Sequence, residues 1–203
     1  MNICVYGAAS RSIAAKHIEN VERLGEKLAE RGHSLIFGGG ANGAMGAAAR
    51  GALKGKAAKI IAIIPKFFNV DGVLFDGCTE VVYTDTMSER KKLLEDYSDA
   101  FIITPGGVGT FDEFFEILSL KQLARMNKPI VIYNSLGYYD PLIELLNKAI
   151  EGNFMSAKNM ELFKVTDDID EVFNYIDNYD KSEILKLTEL KDVTFNVPSE
   201  KQD

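Results

Sequence analysis

The sequence is poor in the residues that build disulfides and metal sites. It contains no tryptophan, two histidines and two cysteines. Cys4 and Cys78 are too few for a disulfide framework or a zinc site. His17 lies in a helical pattern and His33 precedes a strand-like run, so neither is placed for catalysis. We therefore expect no bound metal.

Long apolar runs and a basic leader are also missing. No stretch approaches roughly 18 consecutive apolar residues, the length that indicates a membrane-spanning helix. The segment Met1–Gly7 lacks the basic and apolar regions of a signal peptide. These absences predict a soluble, cytoplasmic protein that does not associate with a membrane.

Positive charge is outweighed by negative charge. The chain has 23 Lys and Arg against 30 Asp and Glu, which gives a formal net charge of −7. A nucleic-acid-binding protein needs a basic surface for phosphate contacts, so we expect no nucleic-acid partner. A small anionic ligand would need cations placed locally around it.

The length and composition indicate one globular domain. The 203 residues are 46% hydrophobic and 26% charged, which is typical of a chain that folds as a single unit. No linker or internal repeat divides the sequence. We expect a single folded domain over 1–180 and a polar C-terminal tail over 181–203, packed on a partner subunit with a frayed end.

Short β-branched runs alternate with longer amphipathic segments. The predicted strands are Ile3–Tyr6, Ser34–Phe37, Lys59–Ile64, Glu80–Tyr83, Ala100–Thr104, Pro129–Tyr133 and Leu162–Val165. The predicted helices are Ser12–Arg31, Asn42–Lys54, Met87–Tyr97, Phe111–Met126, Pro141–Glu151 and Ile169–Tyr179. This alternation predicts an α/β fold, a single Rossmann-like, doubly wound domain with a mainly parallel sheet of about six or seven strands.

Loops that follow the predicted strands carry the candidate chemistry. Four of them stand out, namely Gly7–Ser10, Gly38–Gly43, Thr84–Lys91 and Pro105–Thr110. Parallel strands bring such loops to one edge of the sheet, where open α/β folds bind ligands. Glycine lets backbone N–H groups approach a phosphate, and the helix that follows adds positive potential. The loops therefore predict a phosphorylated, nucleotide-like ligand.

One of these loops matches the dinucleotide-binding pattern. The glycines Gly38, Gly40 and Gly43 have its spacing, directly after a strand and before a helix. The pattern also needs an acidic residue at the end of the next strand, but that strand ends in Ile64-Pro65-Lys66. An NAD(P)-dependent oxidoreductase is therefore disfavoured. These glycines could instead serve only tight packing of strand against helix.

Local patterns alone explain several polar residues as helix caps. Thr110 followed by Glu113 has the spacing of a capping box, and Thr86 followed by Glu89 has it again. Arg90, flanked by further lysines, is by itself typical of a solvated helix charge.

Three motifs together resemble the LOG (Lonely Guy) family. They are Gly38-Gly39-Gly40-Ala41-Asn42-Gly43-Ala44-Met45-Gly46, Met87-Ser88-Glu89-Arg90-Lys91 and Pro105-Gly106-Gly107-Val108-Gly109-Thr110-Phe111-Asp112-Glu113. Their order and spacing agree with the family over about Ile3–Gly152. The chain departs from it at Ala8-Ala9-Ser10, where the family has Gly-Ser-Ser, and nothing after about Tyr179 matches.

The resemblance implies a cytokinin riboside 5′-monophosphate phosphoribohydrolase. Such enzymes hydrolyse the N-glycosidic bond of AMP or its N6-substituted forms and release the base and ribose 5-phosphate. Many relatives carry the label "lysine decarboxylase". That reaction needs pyridoxal phosphate on a lysine, and the sequence shows no such site. We therefore expect no cofactor.

The resemblance also implies roles for particular residues. Arg90 and Glu113 would be catalytic, with Glu113 an ordinary, ionised carboxylate near the anomeric carbon and Arg90 a donor to phosphate or base. The implied substrate-binding residues are Gly106, Gly107, Val108, Gly109, Thr110, Lys91, Asp112, Met87, Gly40, Asn42 and Ser10. A homodimer is typical of the family and is the commonest oligomer.

Other interpretations stay open at this point. A nucleotide- or cofactor-binding carrier could use the same fold and the same glycine loops without hydrolysis. The oxidoreductase is the second alternative. The group that protonates the leaving base is unassigned, and both AMP and N6-prenylated nucleotides fit this reasoning. The segment Lys66–Thr79 is expected to form part of the pocket wall.

Overall fold

A seven-stranded sheet organises the protein. The computed structural model describes residues 1–68, 72–180 and 182. The strands are β1 Asn2–Tyr6, β2 Ser34–Phe37, β3 Ile60–Pro65, β4 Glu80–Thr84, β5 Ala100–Ile103, β6 Ile130–Tyr133 and β7 Lys164–Thr166. The α-helices are α1 Ala15–Glu30, α2 Gly43–Lys54, α3 Met87–Tyr97, α4 Val108–Gln122, α5 Asp140–Glu151 and α6 Ile169–Asp177.

The strand order confirms the doubly wound α/β fold. The order is β4-β3-β2-β1-β5-β6-β7, and every neighbouring pair is parallel. The chain leaves β1 toward β2 on one side, and β5 adds on the other side of β1. The point where the chain changes direction therefore lies between β1 and β5, and open α/β sheets bind ligands above that point.

Helices cover both faces of the sheet. Residues of α1, α2 and α6 pack on one face, and residues of α3, α4 and α5 pack on the other. Strand β1 shows how the two cores form, since Ile3 and Val5 enter the first and Cys4 and Tyr6 enter the second. Because side chains alternate along a strand, a strand covered on both faces has a continuous apolar sequence.

The connection between β3 and β4 contains no α-helix in its described part. A single 3-10 turn, Lys66–Phe68, follows β3, and residues 73–75 of the described connection contact the glycine loop after β2. Ala41 donates its N–H to the Val73 carbonyl, and Phe75 donates to Gly39, each at 2.9 Å. Residues 73–75 thus lie beside the carboxyl edge of the sheet, whereas Thr79 is bonded to Ile60 at the start of β3. That the segment forms part of a pocket wall stays a prediction.

The expected C-terminal tail lies outside the residues that the structure describes. The described chain ends with α6 and a few residues after it, so the tail over 181–203 lies beyond the described residues apart from residue 182. The domain boundary at 180 stays a prediction. Among the described helices, none has the length and apolar character needed to cross a membrane.

One lysine is buried among the mainly apolar side chains of the core. Lys121, in the last turn of α4, is fully buried, and its ammonium group has no hydrogen-bond partner in the described part of the chain. Its Nζ lies 4.8 Å from the centre of the Tyr179 ring. Burial lowers the pKa of Lys121 to about 7, because the charged form loses its hydration.

Replacing Lys121 should stabilise the protein. In the unfolded chain the Lys121 pKa returns to 10.5, so between about pH 7 and that value the unfolded state binds more protons and stability rises with pH. Lys121→Met should increase the free energy of unfolding near pH 7 by roughly 2–5 kcal/mol. The gain should shrink as the pH approaches about 10. Urea unfolding of both proteins across this range is the measurement, and parallel pH curves would contradict the assigned pKa.

Candidate active site

The glycine loops meet at the carboxyl edge of the sheet. Because all seven strands are parallel, the loops after β1, β2, β4 and β5 leave from the same edge. A backbone hydrogen bond links two of these loops directly. Ala8, after β1, donates its N–H to the carbonyl of Pro105, after β5, at 3.2 Å. The predicted convergence of the four loops is therefore confirmed.

An ion pair between Arg90 and Glu113 lies at this edge. Arg90 Nη1 donates to Glu113 Oε1 at 2.8 Å, and the side chains are 8% and 9% exposed. Arg90 Nε also donates to the Ile63 carbonyl, at 3.2 Å. The pair joins α3 to α4 and to the end of β3. The interpretation of Arg90 as a solvated helix charge is wrong, because its guanidinium finds a buried carboxylate and a carbonyl.

Glycine at the end of β2 makes room for the arginine. A Cβ atom on Gly38 would lie 2.1 Å from Arg90 Nη2 and 3.2 Å from Met45 Sδ. Gly43 has a φ of +64°, and a Cβ there would lie 2.3 Å from the Ala8 carbonyl oxygen. At these two positions glycine serves close packing, which is the interpretation that competed with phosphate binding.

Glu113 does not cap its helix. Helix α4 begins at Val108, with Gly107 in extended backbone at the N-cap and no side-chain capping bond. Thr110 is therefore inside the helix, and the capping box predicted from Thr110 and Glu113 is wrong. The carboxylate of Glu113 turns instead to Arg90, because a buried guanidinium attracts a carboxylate more strongly than a backbone N–H does.

The second predicted cap is present. The hydroxyl of Thr86 accepts the N–H of Glu89 at 3.1 Å. The Glu89 carboxylate accepts from the N–H of Asp85, at 2.8 Å, rather than from that of Thr86. This cap fixes the start of α3 and, with it, the position of Arg90 one turn later.

Burial makes Glu113 an unusual carboxylate. Burial raises the pKa of Glu113, and the charge and hydrogen bond of Arg90 oppose that rise. The expectation of an ordinary pKa is therefore wrong, because the sequence carries no information about desolvation. Glu113 Oε2 accepts no hydrogen bond from the residues that the structure describes, so this oxygen is available to a ligand.

The loop after β5 is open where the loop after β2 is filled. A Cβ atom on Gly107 or Gly109 would meet nothing within 4 Å, and Val108 is 84% exposed. Gly106 differs, since a Cβ there would lie 2.1 Å from the buried Thr110 hydroxyl. The uncapped start of α4 thus presents backbone N–H groups and a positive helix end to any ligand above it.

The predicted residues from α3 and α4 differ in exposure and in their partners. Lys91 forms ion pairs with Asp112 at 3.1 Å and with Glu116 at 3.0 Å. Those hydrogen bonds raise the pKa of Lys91, although partial burial opposes them. Met87 begins α3 and is 40% exposed. Lys91 and Asp112 are therefore already bonded to protein partners.

The three predicted residues from the first two loops are Gly40, Asn42 and Ser10, and they make different local contacts. Gly40 donates its N–H to Met45 Sδ at 3.1 Å. Asn42 is the N-cap residue of α2 but makes no capping bond with its side chain. Ser10 is exposed, and its hydroxyl accepts the N–H of Ser12 at 3.2 Å.

The sequence did not indicate two tyrosines that lie beside the glycine loop after β5. Tyr138 and Tyr139 follow β6, and their hydroxyls donate to the carbonyls of Gly106 and Thr104. A signal was present, because Pro129–Tyr133 is predicted as a parallel strand and the residues after it must reach the same edge.

Within the described ranges, no cluster of three or more His, Cys, Asp or Glu could hold a metal ion.

Comparison with known proteins places this chain in a family. The family model described as "Possible lysine decarboxylase" matches residues 45–176. The cytokinin riboside 5′-monophosphate phosphoribohydrolase of Mycobacterium tuberculosis (strain ATCC 25618 / H37Rv) is 38% identical over 167 residues, which are 82% of this chain and 88% of that protein. A probable enzyme of the same name from Oryza sativa subsp. japonica is 32% identical over 89% of this chain and 80% of its own length.

A solved structure shows the same fold at lower identity. The molybdenum cofactor carrier protein from Chlamydomonas reinhardtii superposes with a TM-score of 0.64 and 20% identity, over 91% of this chain and 98% of that chain. This likeness concerns the fold alone. The extent of the sequence matches is what decides the family. The chain belongs to the LOG family of cytokinin riboside 5′-monophosphate phosphoribohydrolases.

Proposed function

We propose that the protein hydrolyses the N-glycosidic bond of an adenine-type nucleoside 5′-monophosphate, either AMP or a cytokinin riboside 5′-monophosphate. The products are the free base and ribose 5-phosphate. The buried pair of Arg90 and Glu113 beside the open start of α4 carries this proposal. A carrier needs a surface that binds phosphate, but it does not need a desolvated carboxylate beside that surface.

The phosphate end of the substrate fits the start of α4. Gly106, Gly107 and Gly109 offer N–H groups, and the helix adds positive potential where a phosphate would sit. The chain has a net charge of −7, so this local potential is what attracts an anion. The substrate is bound by backbone dipoles rather than by a general positive surface.

The ribose end fits Glu113. Hydrolysis breaks the bond between the anomeric carbon and the base nitrogen, and a water oxygen bonds to that carbon. The base leaves with the electron pair of the broken bond and gains a proton, while the water loses one. Glu113 Oε2 stabilises the developing positive charge on the sugar or accepts the water proton. Arg90 holds the carboxylate in place and favours its ionised form.

Two lysines, one beside the site and one buried at the far end of α4, do not fit pyridoxal phosphate chemistry at this edge. Lys91 is held in ion pairs with two carboxylates of α4. Lys121 has the lowered pKa that a Schiff base needs, but it lies in the last turn of α4. It is thus separated from the glycine loop by about 20 Å of helix. Neither lysine is therefore placed to carry the cofactor of a lysine decarboxylase beside Arg90 and Glu113.

The activity can be tested directly with two nucleotides. The protein is incubated with AMP and with isopentenyladenosine monophosphate, and free base and ribose 5-phosphate are measured by chromatography. We expect both products in equal amounts, because the reaction breaks a single bond. Intact nucleotide together with a raised melting temperature would identify a carrier instead. Stabilisation by NAD or NADP alone would identify an oxidoreductase.

The charge of Glu113 should be essential for turnover. Glu113→Gln keeps the shape of the side chain and a hydrogen-bonding oxygen but removes the charge. It should lower kcat by roughly 10²–10⁴-fold, the usual contribution of a positioned acid–base group, with little change in KM. Steady-state kinetics and thermal melting are measured together, because the buried Arg90 loses its counter-charge and stability should fall as well.

A matched variant on the same helix separates these effects. Glu116→Gln makes the same chemical change one turn along, at a side chain that is 42% exposed. It should leave kcat within about twofold of the native value, since exposed ion pairs contribute little. Normal turnover by Glu113→Gln would contradict its catalytic role, and Asp112 would then be the next carboxylate to examine.

We also propose that the protein forms a homodimer through α4 in the cytoplasm. Val108 and Phe115 are exposed along one side of this helix, and Leu123, its C-cap residue, is exposed as well, at spacings close to two turns. A second copy that covers this stripe with its own would give a symmetric interface. Cys4 and Cys78 are free thiols in the described chain, which suits a reducing compartment.

The dimer should depend on that stripe. Light scattering at micromolar concentration should give about twice the mass of 22.5 kDa. Phe115→Glu should shift the protein to the monomer, because a charge would be buried in an apolar interface. A charge at Leu145, exposed on α5, is the control and should leave the mass unchanged. A native protein of monomer mass would contradict the proposal.

A further inference from the structure

The loop after β6 places a tyrosine hydroxyl on the open glycine loop. Tyr138 Oη donates to the Gly106 carbonyl at 2.6 Å. Its neighbour Tyr139 donates to the Thr104 carbonyl at 2.7 Å. Both tyrosines therefore act on the backbone that would hold the phosphate, although neither belongs to the sequence motifs of the site.

Each backbone carbonyl from Thr104 to Gly107 accepts a hydrogen bond. Besides the two tyrosine bonds, the Pro105 carbonyl accepts from Ala8 at 3.2 Å and the Gly107 carbonyl accepts from Phe111 at 3.0 Å. The described chain has no cis peptide, and in a trans peptide the C=O and the following N–H point in opposite directions. The loop carbonyls thus turn toward the protein, and the N–H groups turn away from it.

The two tyrosines orient different kinds of peptide. The Gly106 carbonyl shares its peptide with the N–H of Gly107, which has no acceptor among the described residues. The Thr104 carbonyl shares its peptide with Pro105, which has no N–H to offer. Tyr138 therefore orients a donor that faces the ligand side, whereas Tyr139 orients none.

We propose that Tyr138 is a positioning residue for substrate phosphate: its hydroxyl sets the direction in which the Gly107 N–H points. This inference rests on the proposed function for the identity of the phosphate ligand. The space around Gly107 is open, since a Cβ there would meet nothing within 4 Å. No side chain therefore packs on Gly107 from that direction, and its N–H has no acceptor among the described residues.

The surroundings of Tyr138 hold its hydroxyl in place. Its ring meets the His17 ring edge-on, with ring centres 5.9 Å apart. Gly137, with a φ of +71°, makes the tight turn that precedes it. The N–H of the following residue, Tyr139, donates to Asn134 Oδ1 at 2.7 Å. Since the ring and the backbone on both sides are fixed, the hydroxyl acts on Gly106 without first being ordered by the ligand.

The test compares how strongly the protein prefers a phosphorylated ligand. Dissociation constants of AMP and of adenosine are measured by calorimetry, with Glu113→Gln in every protein so that bound nucleotide persists. Tyr138→Phe removes one oxygen from a ring that is 41% exposed, so we expect an unchanged melting temperature. The preference for AMP over adenosine should fall about three- to tenfold, as for the loss of one well-oriented hydrogen bond.

Tyr139→Phe is the matched control. It removes the same atom from the neighbouring, fully buried ring, so the melting temperature should fall because the Thr104 carbonyl loses its partner. The preference for AMP should be retained, since no N–H follows that carbonyl. In proteins with Glu113 intact, Tyr138→Phe should raise KM for AMP and leave kcat nearly unchanged.

Three outcomes would overturn the inference. The first is an unchanged preference for AMP in Tyr138→Phe, and the second is an equal loss in both tyrosine variants, which would indicate general loosening of the loop. The third is a parent protein that binds adenosine as tightly as AMP. If AMP is bound with the expected preference but never hydrolysed, the proposed function fails while the role of Tyr138 stands.

Discussion

The burial of one ion pair constrains most of this structure. Two charges can leave water only if each keeps a partner of good geometry, because either charge alone would cost several kcal/mol. Arg90 and Glu113 meet this condition at 2.8 Å. Helices α3 and α4 must therefore start at fixed positions above the sheet, and β3 must offer the Ile63 carbonyl. The residue after β2 must be a glycine that leaves room for the guanidinium.

The two glycine loops, after β2 and after β5, are similar in sequence but serve different purposes. At Gly38 the missing side chain is replaced by arginine atoms, so the loop after β2 supports the charged pair. At Gly107 the space is empty, and the carbonyls of the loop after β5 are bonded to the protein. The same residue type therefore serves packing at one loop and access at the other. A ligand held by the second loop has a carboxylate nearby only because the first loop makes room for its arginine partner.

The fold explains where a site can form but not what it does. Parallel strands bring their following loops to one edge, and the change of direction between β1 and β5 opens a crevice there. Proteins with this architecture use that crevice for different ligands, and the side chains that line it decide the chemistry. In this chain we propose that the deciding feature is a desolvated carboxylate whose Oε2 has no bonded partner among the described residues.

Periodicity and turn residues alone determined the architecture. Strand β2 and helix α3 have their predicted bounds, because buried runs and caps are local signals. The motifs of the resemblance also indicated Arg90 and Glu113. Only the tertiary structure decided how these residues act. Glu113 follows Thr110 as a capping residue would, yet its partner lies 23 residues earlier. Desolvation and contacts between distant loops, including that of Tyr138 with Gly106, arise only when the sheet assembles.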